Sequence, residues 1–170
     1  MAELTPKERL QPSLLDRLTD ENPERLQESR ERRVLSPQRL RESVRRDLTY
    51  LLNSTCLTSV QDLGDDALLE GSTVNYGLPD LTGHTASTIH VPTLEKVLRR
   101  VIIDFEPRLI KNSVRVRLLK DADKYGPNAL VFGIEAELWA QPLPLRLFLR
   151  TDIDLETGDV MISEAGGERD

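Results

Sequence analysis

Glu106-Pro107-Arg108 is the cluster in this chain whose residue types and spacing call for a chemical explanation. In an extended segment residues i and i+2 point the same way, so the carboxylate and the guanidinium project together from a corner whose backbone the proline stiffens. Two readings follow. Either a local ion pair ties the corner down, or the corner is a preset recognition element, because Arg suits fixed bidentate contacts with a partner. The second reading predicts that Arg108→Ala spares the fold and abolishes partner binding.

The other candidates for chemistry fall away. Glu135 and Glu137 sit two apart on one expected strand, roughly 7 Å from each other, within the ~6.5–9.5 Å of an inverting glycosidase pair. Alternation places them opposite Phe132 and Ile134, on the solvent face, with nothing to raise one pKa. His84 and His90 have no Cys or acid at metal-ligand spacing, and no Gly-Lys-Ser/Thr or Gly-x-Ser-x-Gly occurs. Cys56 has no His near it in sequence and is assigned to packing; a lone cysteine forms no internal disulfide and fits a reducing compartment. The expectation is a protein with no catalytic residues, no cofactor and no metal.

These residues need elements to hold them. Ser36 is a good N-cap and Pro37 suits the first helical position, after which Leu40, Val44, Leu48, Leu51 and Leu52 line one face of a helix ended by Asn53. Its other face carries Arg39, Arg41, Glu42, Arg45 and Arg46. A second helix follows Pro92, with Leu94, Val97, Leu98, Val101, Ile102 and Phe105 in register and Glu95–Arg99 and Arg100–Asp104 as expected i,i+4 pairs. Pro107 stops it near Phe105. The period then changes to two. Val114, Val116 and Leu118 alternate, the chain turns at Tyr125-Gly126-Pro127-Asn128, and Leu130 to Leu138 and Leu145 to Arg150 read as further strands. A weaker pair, 153–155 and 160–162, brackets a turn at Glu156-Thr157-Gly158. The expected fold is α+β, with amphipathic helices on one face of an antiparallel β-meander.

Between the helices, 54–91 is loop-rich and holds the turn cluster Val74-Asn75-Tyr76-Gly77-Leu78-Pro79-Asp80. A long irregular segment in a small domain is usually functional or contact-forming. Before the first helix, residues 1–36 carry fifteen charged residues and three prolines. They read as a mobile charged arm over 1–35, ahead of a domain at 36–162 and a tail at 163–170. Within the arm, Leu14, Leu15 and Leu18 form an apolar cluster suited to one helical turn, docked either on a partner or on its own domain.

Composition sets the remaining bounds. With 38% hydrophobic and 4% aromatic residues, the core must be built mainly from Leu, Val and Ile. The net charge of −6 argues against simple phosphate-backbone binding. Residues 93–120 are basic, but Phe105 is their only aromatic, so they lack a stacking platform for nucleic acid. No run approaches the ~18 apolar residues of a membrane span, and the N-terminus lacks the apolar centre of a signal peptide, so a cytoplasmic location without membrane insertion is expected.

The order of helix, acidic loop with Val74-Asn75-Tyr76-Gly77-Leu78-Pro79-Asp80, amphipathic helix, Phe105-Glu106-Pro107-Arg108-Leu109 and alternating strands resembles the TssE family of type VI secretion baseplate subunits. Gln11-Pro12-Ser13-Leu14-Leu15-Asp16-Arg17-Leu18 and Glu28-Ser29-Arg30 are similar to that family too. It is in turn similar to a wedge protein of contractile-phage baseplates once labelled lysozyme-like. The resemblance implies a structural subunit at the cytosolic side of a bacterial inner membrane, in a wedge beside TssF and TssG with TssK nearby, meeting the TssB/TssC sheath. It implies no catalytic residues. Glu106, Pro107 and Arg108 carry over as the shared motif with an assembly role, and Asn75, Tyr76, Leu14, Leu15 and Leu18 are the further partner-binding candidates. An exposed strand edge could pair with the sheath. The alternative is a regulatory adaptor of the same fold with one soluble partner; a muramidase-like hydrolase would need export.

Overall fold

The computed structural model describes residues 13–19, 36–64, 67–86, 88–119, 128–140 and 143–164. The expected arm and tail therefore lie outside the described residues except for 13–19 and 163–164, as does the turn at Tyr125-Gly126-Pro127. Four helices are described: α1 (Leu14–Leu18), α2 (Pro37–Leu52), α3 (Ala67–Glu70) and α4 (Val91–Phe105). Four antiparallel strands follow in spatial order: β1 (Arg115–Leu118), β2 (Ala129–Leu138), β3 (Leu145–Asp154) and β4 (Val160–Glu164). This is the α+β meander that the change of period predicts.

The apolar stripes explain how the layers meet. Ser36 Oγ accepts from the Arg39 N–H, Pro37 opens α2, and Leu40, Val44, Leu48, Leu51 and Leu52 are all buried. Leu94, Leu98 and Ile102 do the same for α4. Both helices lie on one face of the sheet, α4 against β1 and α2 against β3 and β4, over Phe132, Ile134, Leu149 and Ile153. The weak strand pair expected at 153–155 and 160–162 divides differently. Because β2 begins at Ala129, opposite Asp154, β3 keeps a pairing partner to that point, and only 160–164 forms the fourth strand.

One core position is imperfect. Thr151 on β3 is fully buried between its cross-strand neighbours Phe132 and Ile162, and its Oγ1 has no hydrogen-bond partner among the described residues. A buried unpaired hydroxyl costs about 1–3 kcal/mol. Thr151→Val is therefore expected to raise the free energy of unfolding by about 1 kcal/mol in a urea titration; a loss of stability would show that the hydroxyl is bonded.

Candidate functional site

The corner after α4 turns its charges inward. Glu106 donates its N–H to the Ile102 carbonyl at 2.9 Å, and its side chain folds into the edge of the core with the residue 3% exposed. Arg108 Nε donates to Glu106 Oε1 at 2.7 Å, Nη2 to Oε2 at 2.5 Å, and the Arg108 N–H to Oε1 at 3.1 Å. Residues i and i+2 do meet, but they meet each other.

The guanidinium also reaches α2. Its Nη1 donates to Ser43 Oγ at 2.9 Å and its Nη2 to Asp47 Oδ2 at 2.6 Å. The Ser43 hydroxyl in turn donates to Asp16 Oδ2 on α1 at 2.8 Å, and Arg46 Nη1 donates to Asp16 Oδ1 at 2.6 Å. Arg46 closes the circuit by donating from Nε and Nη2 to Asp47 Oδ1 at 2.9 and 2.7 Å. Asp16, Ser43, Arg108, Asp47 and Arg46 thus form a ring, with Glu106 attached through Arg108. Both oxygens of each carboxylate accept hydrogen bonds. Such a network suits the fixing of geometry better than the movement of protons.

Electrostatics follow from the pairing. Burial works against the charged form of Arg108, but the hydrogen bonds and charges of Glu106 and then Asp47 outweigh it and raise its pKa. For Asp16 burial alone would raise the pKa; hydrogen bonds from Ser13, Ser43 and Arg46, with the Arg46 charge, lower it from 3.8 to about 2. A depressed carboxylate pKa stabilises the docked state at pH above the unfolded value and loses that contribution as pH falls through the folded one. The hold of Asp16 on α2 is therefore complete above about pH 4 and is lost towards pH 2. In an NMR titration the Asp16 carboxyl carbon is expected to show a midpoint near 2; a midpoint near 3.8 would mean that α1 is not held by it.

Beside the ring, Tyr76 stacks edge-on against Phe105, with centroids 5.4 Å apart and planes at 71°. Burial first, then the charges of Asp47 and Glu106, raise the Tyr76 pKa. A groove of about 590 Å³ opens here, lined by Leu14, Leu15, Tyr50, Tyr76, Phe105 and Pro107 with Asp47, Glu106 and Arg108 on its polar side.

Residues 38–143, more than half of the chain, match the family described as baseplate wedge protein gp25. The chain belongs to this family. Its members are structural baseplate proteins, so the chain has a structural role in a baseplate, in contact with other baseplate proteins. No curated protein and no solved structure gave a match. The match takes in α2, the loop, α4, the corner, β1 and β2; α1 precedes it.

The expected site residues of this wedge-family chain fall into two groups. Leu14, Leu15 and Leu18 are 71%, 47% and 75% exposed, and Pro107 is exposed on the corner. Of the two dockings open to the leucine cluster, α1 is held on its own domain, through Asp16, while its leucines face outward. Asn75 works internally: its Oδ1 accepts from the N–H and hydroxyl of Thr58, and its Nδ2 donates to the Glu70 carbonyl, which clamps the loop that carries Tyr76. Glu106 and Arg108 are likewise engaged within the chain. Glu135 is exposed on the outer face and Glu137 half-buried; His84 and His90 are exposed; Cys56 is buried, with Sγ 3.1 Å from Thr58 Oγ1.

Sequence reasoning missed Asp16, Ser43 and Asp47 as partners of the corner. One signal was present. Ser43 and Asp47 stand one turn apart on the rim of the α2 apolar stripe, beside Val44 and Leu48, where a polar pair at i, i+4 needs a partner from elsewhere. The helices also occupy the sheet edges. Arg100 and Asp104 pair as expected, but Glu95 and Arg99 serve β1 instead: Glu95 Oε1 accepts from the Leu118 N–H at 2.8 Å, and Arg99 Nε donates to the Val114 carbonyl at 2.9 Å. On β4, Asn53 takes both main-chain groups of Val160, and Arg45 donates to the Ile162 carbonyl. Capped edges resist unwanted strand pairing.

Proposed function

We propose that this wedge-family chain is a structural subunit of a bacterial type VI secretion baseplate, of the TssE kind, which binds TssF and TssG in the wedge near TssK and links it to the TssB/TssC sheath. The observation that carries the baseplate reading is the family match over 38–143. The type VI reading rests on the resemblance that runs over about 10–162 and takes in 11–18 and 28–30 outside that match, and it implies a place at the cytosolic side of the inner membrane. Among the described residues no helix is long and apolar enough to cross a membrane. In this reading Pro107, Tyr76 and the α1 leucines make contact, while Glu106, Arg108 and Asn75 hold them in place from behind. Helix side chains already occupy Val160 and the Ile162 carbonyl, so a sheath strand would add past Ile162. The test is co-expression of the tagged chain with TssF and TssG from the same genome. Purification of the three together is expected; purification with a single soluble regulator instead would sink the reading.

A further inference from the structure

Helix α1 faces the wrong way for an ordinary surface helix. Leu14 and Leu18 are largely exposed and Leu15 about half so, and the hydrogen bonds that join the helix to α2 end on the carboxylate of Asp16. Five residues are far too few to hold a helix in water. Two devices hold this one. The capping box between Ser13 and Asp16 closes its first turn, with Ser13 Oγ donating to Asp16 Oδ2 at 2.7 Å and the Asp16 N–H returning to Ser13 Oγ at 3.3 Å. The bonds from Ser43 and Arg46 then fasten it to α2.

Ser43 matters most. Its hydroxyl accepts from Arg108 Nη1 and donates to Asp16 Oδ2, so its one proton has a fixed direction and its two bonds polarise each other. The same carboxylate oxygen therefore caps α1 and terminates the chain of bonds that orients Arg108.

We propose that Asp16 and Ser43 are positioning residues that couple α1 to the Glu106-Pro107-Arg108 corner, so that the outward leucines and the corner form one surface met by one partner. Leu14 and Leu15 make one wall of the groove and Pro107, Tyr76 and Phe105 another. Release of Asp16 takes away the first wall and loosens the second. The identity of that partner rests on the baseplate reading above; the coupling itself does not.

The experiment has an arm for each. In NMR of the full isolated chain, Asp16→Ala and Ser43→Ala, the latter leaving the sequence of α1 intact, are expected to move the Cα shifts of residues 14–18 from helical to coil. Asp16→Ala is also expected to displace the Arg108 Nη resonances, although the two residues share no bond. Helical shifts that survive in both variants, or Arg108 signals that do not move, overturn the coupling. In the second arm, Asp16→Ala is expected to weaken capture of TssF and TssG by roughly 5–150-fold, the usual span for coupled sites. Adding Leu14→Ser and Leu15→Ser should then cost nothing more; a further, additive loss overturns the single surface. Unchanged capture in Asp16→Ala overturns it too, provided Tyr76→Ala weakens capture. If Tyr76→Ala and the leucine variants alone all leave capture unchanged, the single surface is overturned while the baseplate reading stands; if the parent chain itself captures neither TssF nor TssG, that reading has failed and the single surface with it, and the NMR arm still decides the coupling.

Discussion

Arg108→Ala is expected to destabilise the domain by about 3 kcal/mol, roughly 6–12 °C in thermal midpoint for a chain of this size. A corner that merely presented Arg108 to a partner would lose nothing of its fold, and that is what the spacing alone suggests. The structure gives the opposite expectation, because Glu106 is 3% exposed and its carboxylate receives two of its three hydrogen bonds from the Arg108 side chain. Truncation leaves that carboxylate buried with one backbone N–H, whereas Asp47 keeps Arg46. Removing one member of a buried pair usually costs more than the pair contributes. Two controls separate the causes. Arg108→Lys retains the charge but not the planar fork, so it should lose less than Arg108→Ala. Glu106→Leu combined with Arg108→Met removes both charges and should recover much of the midpoint. Partner capture by each variant is informative only well below its own midpoint. An Arg108→Ala midpoint within 2 °C of the parent, on the order of 1 kcal/mol or less, would return the corner to a solvated pair.

What was legible in the sequence is what repeats along it. The α2 and α4 stripes, the N-cap at Ser36, the stop at Pro107 and the strands over 115–118 and 130–138 are each written in a few consecutive turns or alternations. The family resemblance lay in the same segments and in the Glu-Pro-Arg corner. The ring was not legible, because its members come from positions 16, 43–47 and 106–108, and no local pattern says that three such segments converge. Glu95 and Arg99 mislead for a related reason. Their spacing is right for a helix-surface pair worth a few tenths of a kcal/mol, but β1 offers them backbone groups that would otherwise go unpaired, which is the larger gain. The end of β3 follows the same logic: how far a strand runs depends on the neighbour that pairs with it, and Asp154 has one in Ala129.

The second large effect lies at Gly77, in the turn cluster 74–80. The residue has φ +125, and a Cβ there would stand 2.2 Å from the Ser54 carbonyl oxygen and 2.6 Å from its carbon. Those backbones cannot part without breaking bonds, because the Leu78 N–H donates to Ser54 O at 2.7 Å and the Cys56 N–H to Leu78 O at 2.8 Å. These bonds tie the loop after α2 to the segment that carries Tyr76 to Phe105. Gly77→Ala therefore meets two penalties, a backbone conformation that side chains avoid and a collision with main chain, together about 3 kcal/mol or more. Gly83 separates the two, since it has φ +77 but open space around its Cβ, so Gly83→Ala should lose only about 1 kcal/mol. Chemical denaturation of both variants gives the comparison, and amide exchange locates the damage. Faster exchange at Cys56 and Leu78 in Gly77→Ala alone is the expected result. Equal losses in the two variants would show that the close approach of the two backbones contributes nothing, and that Tyr76 is placed by its own packing.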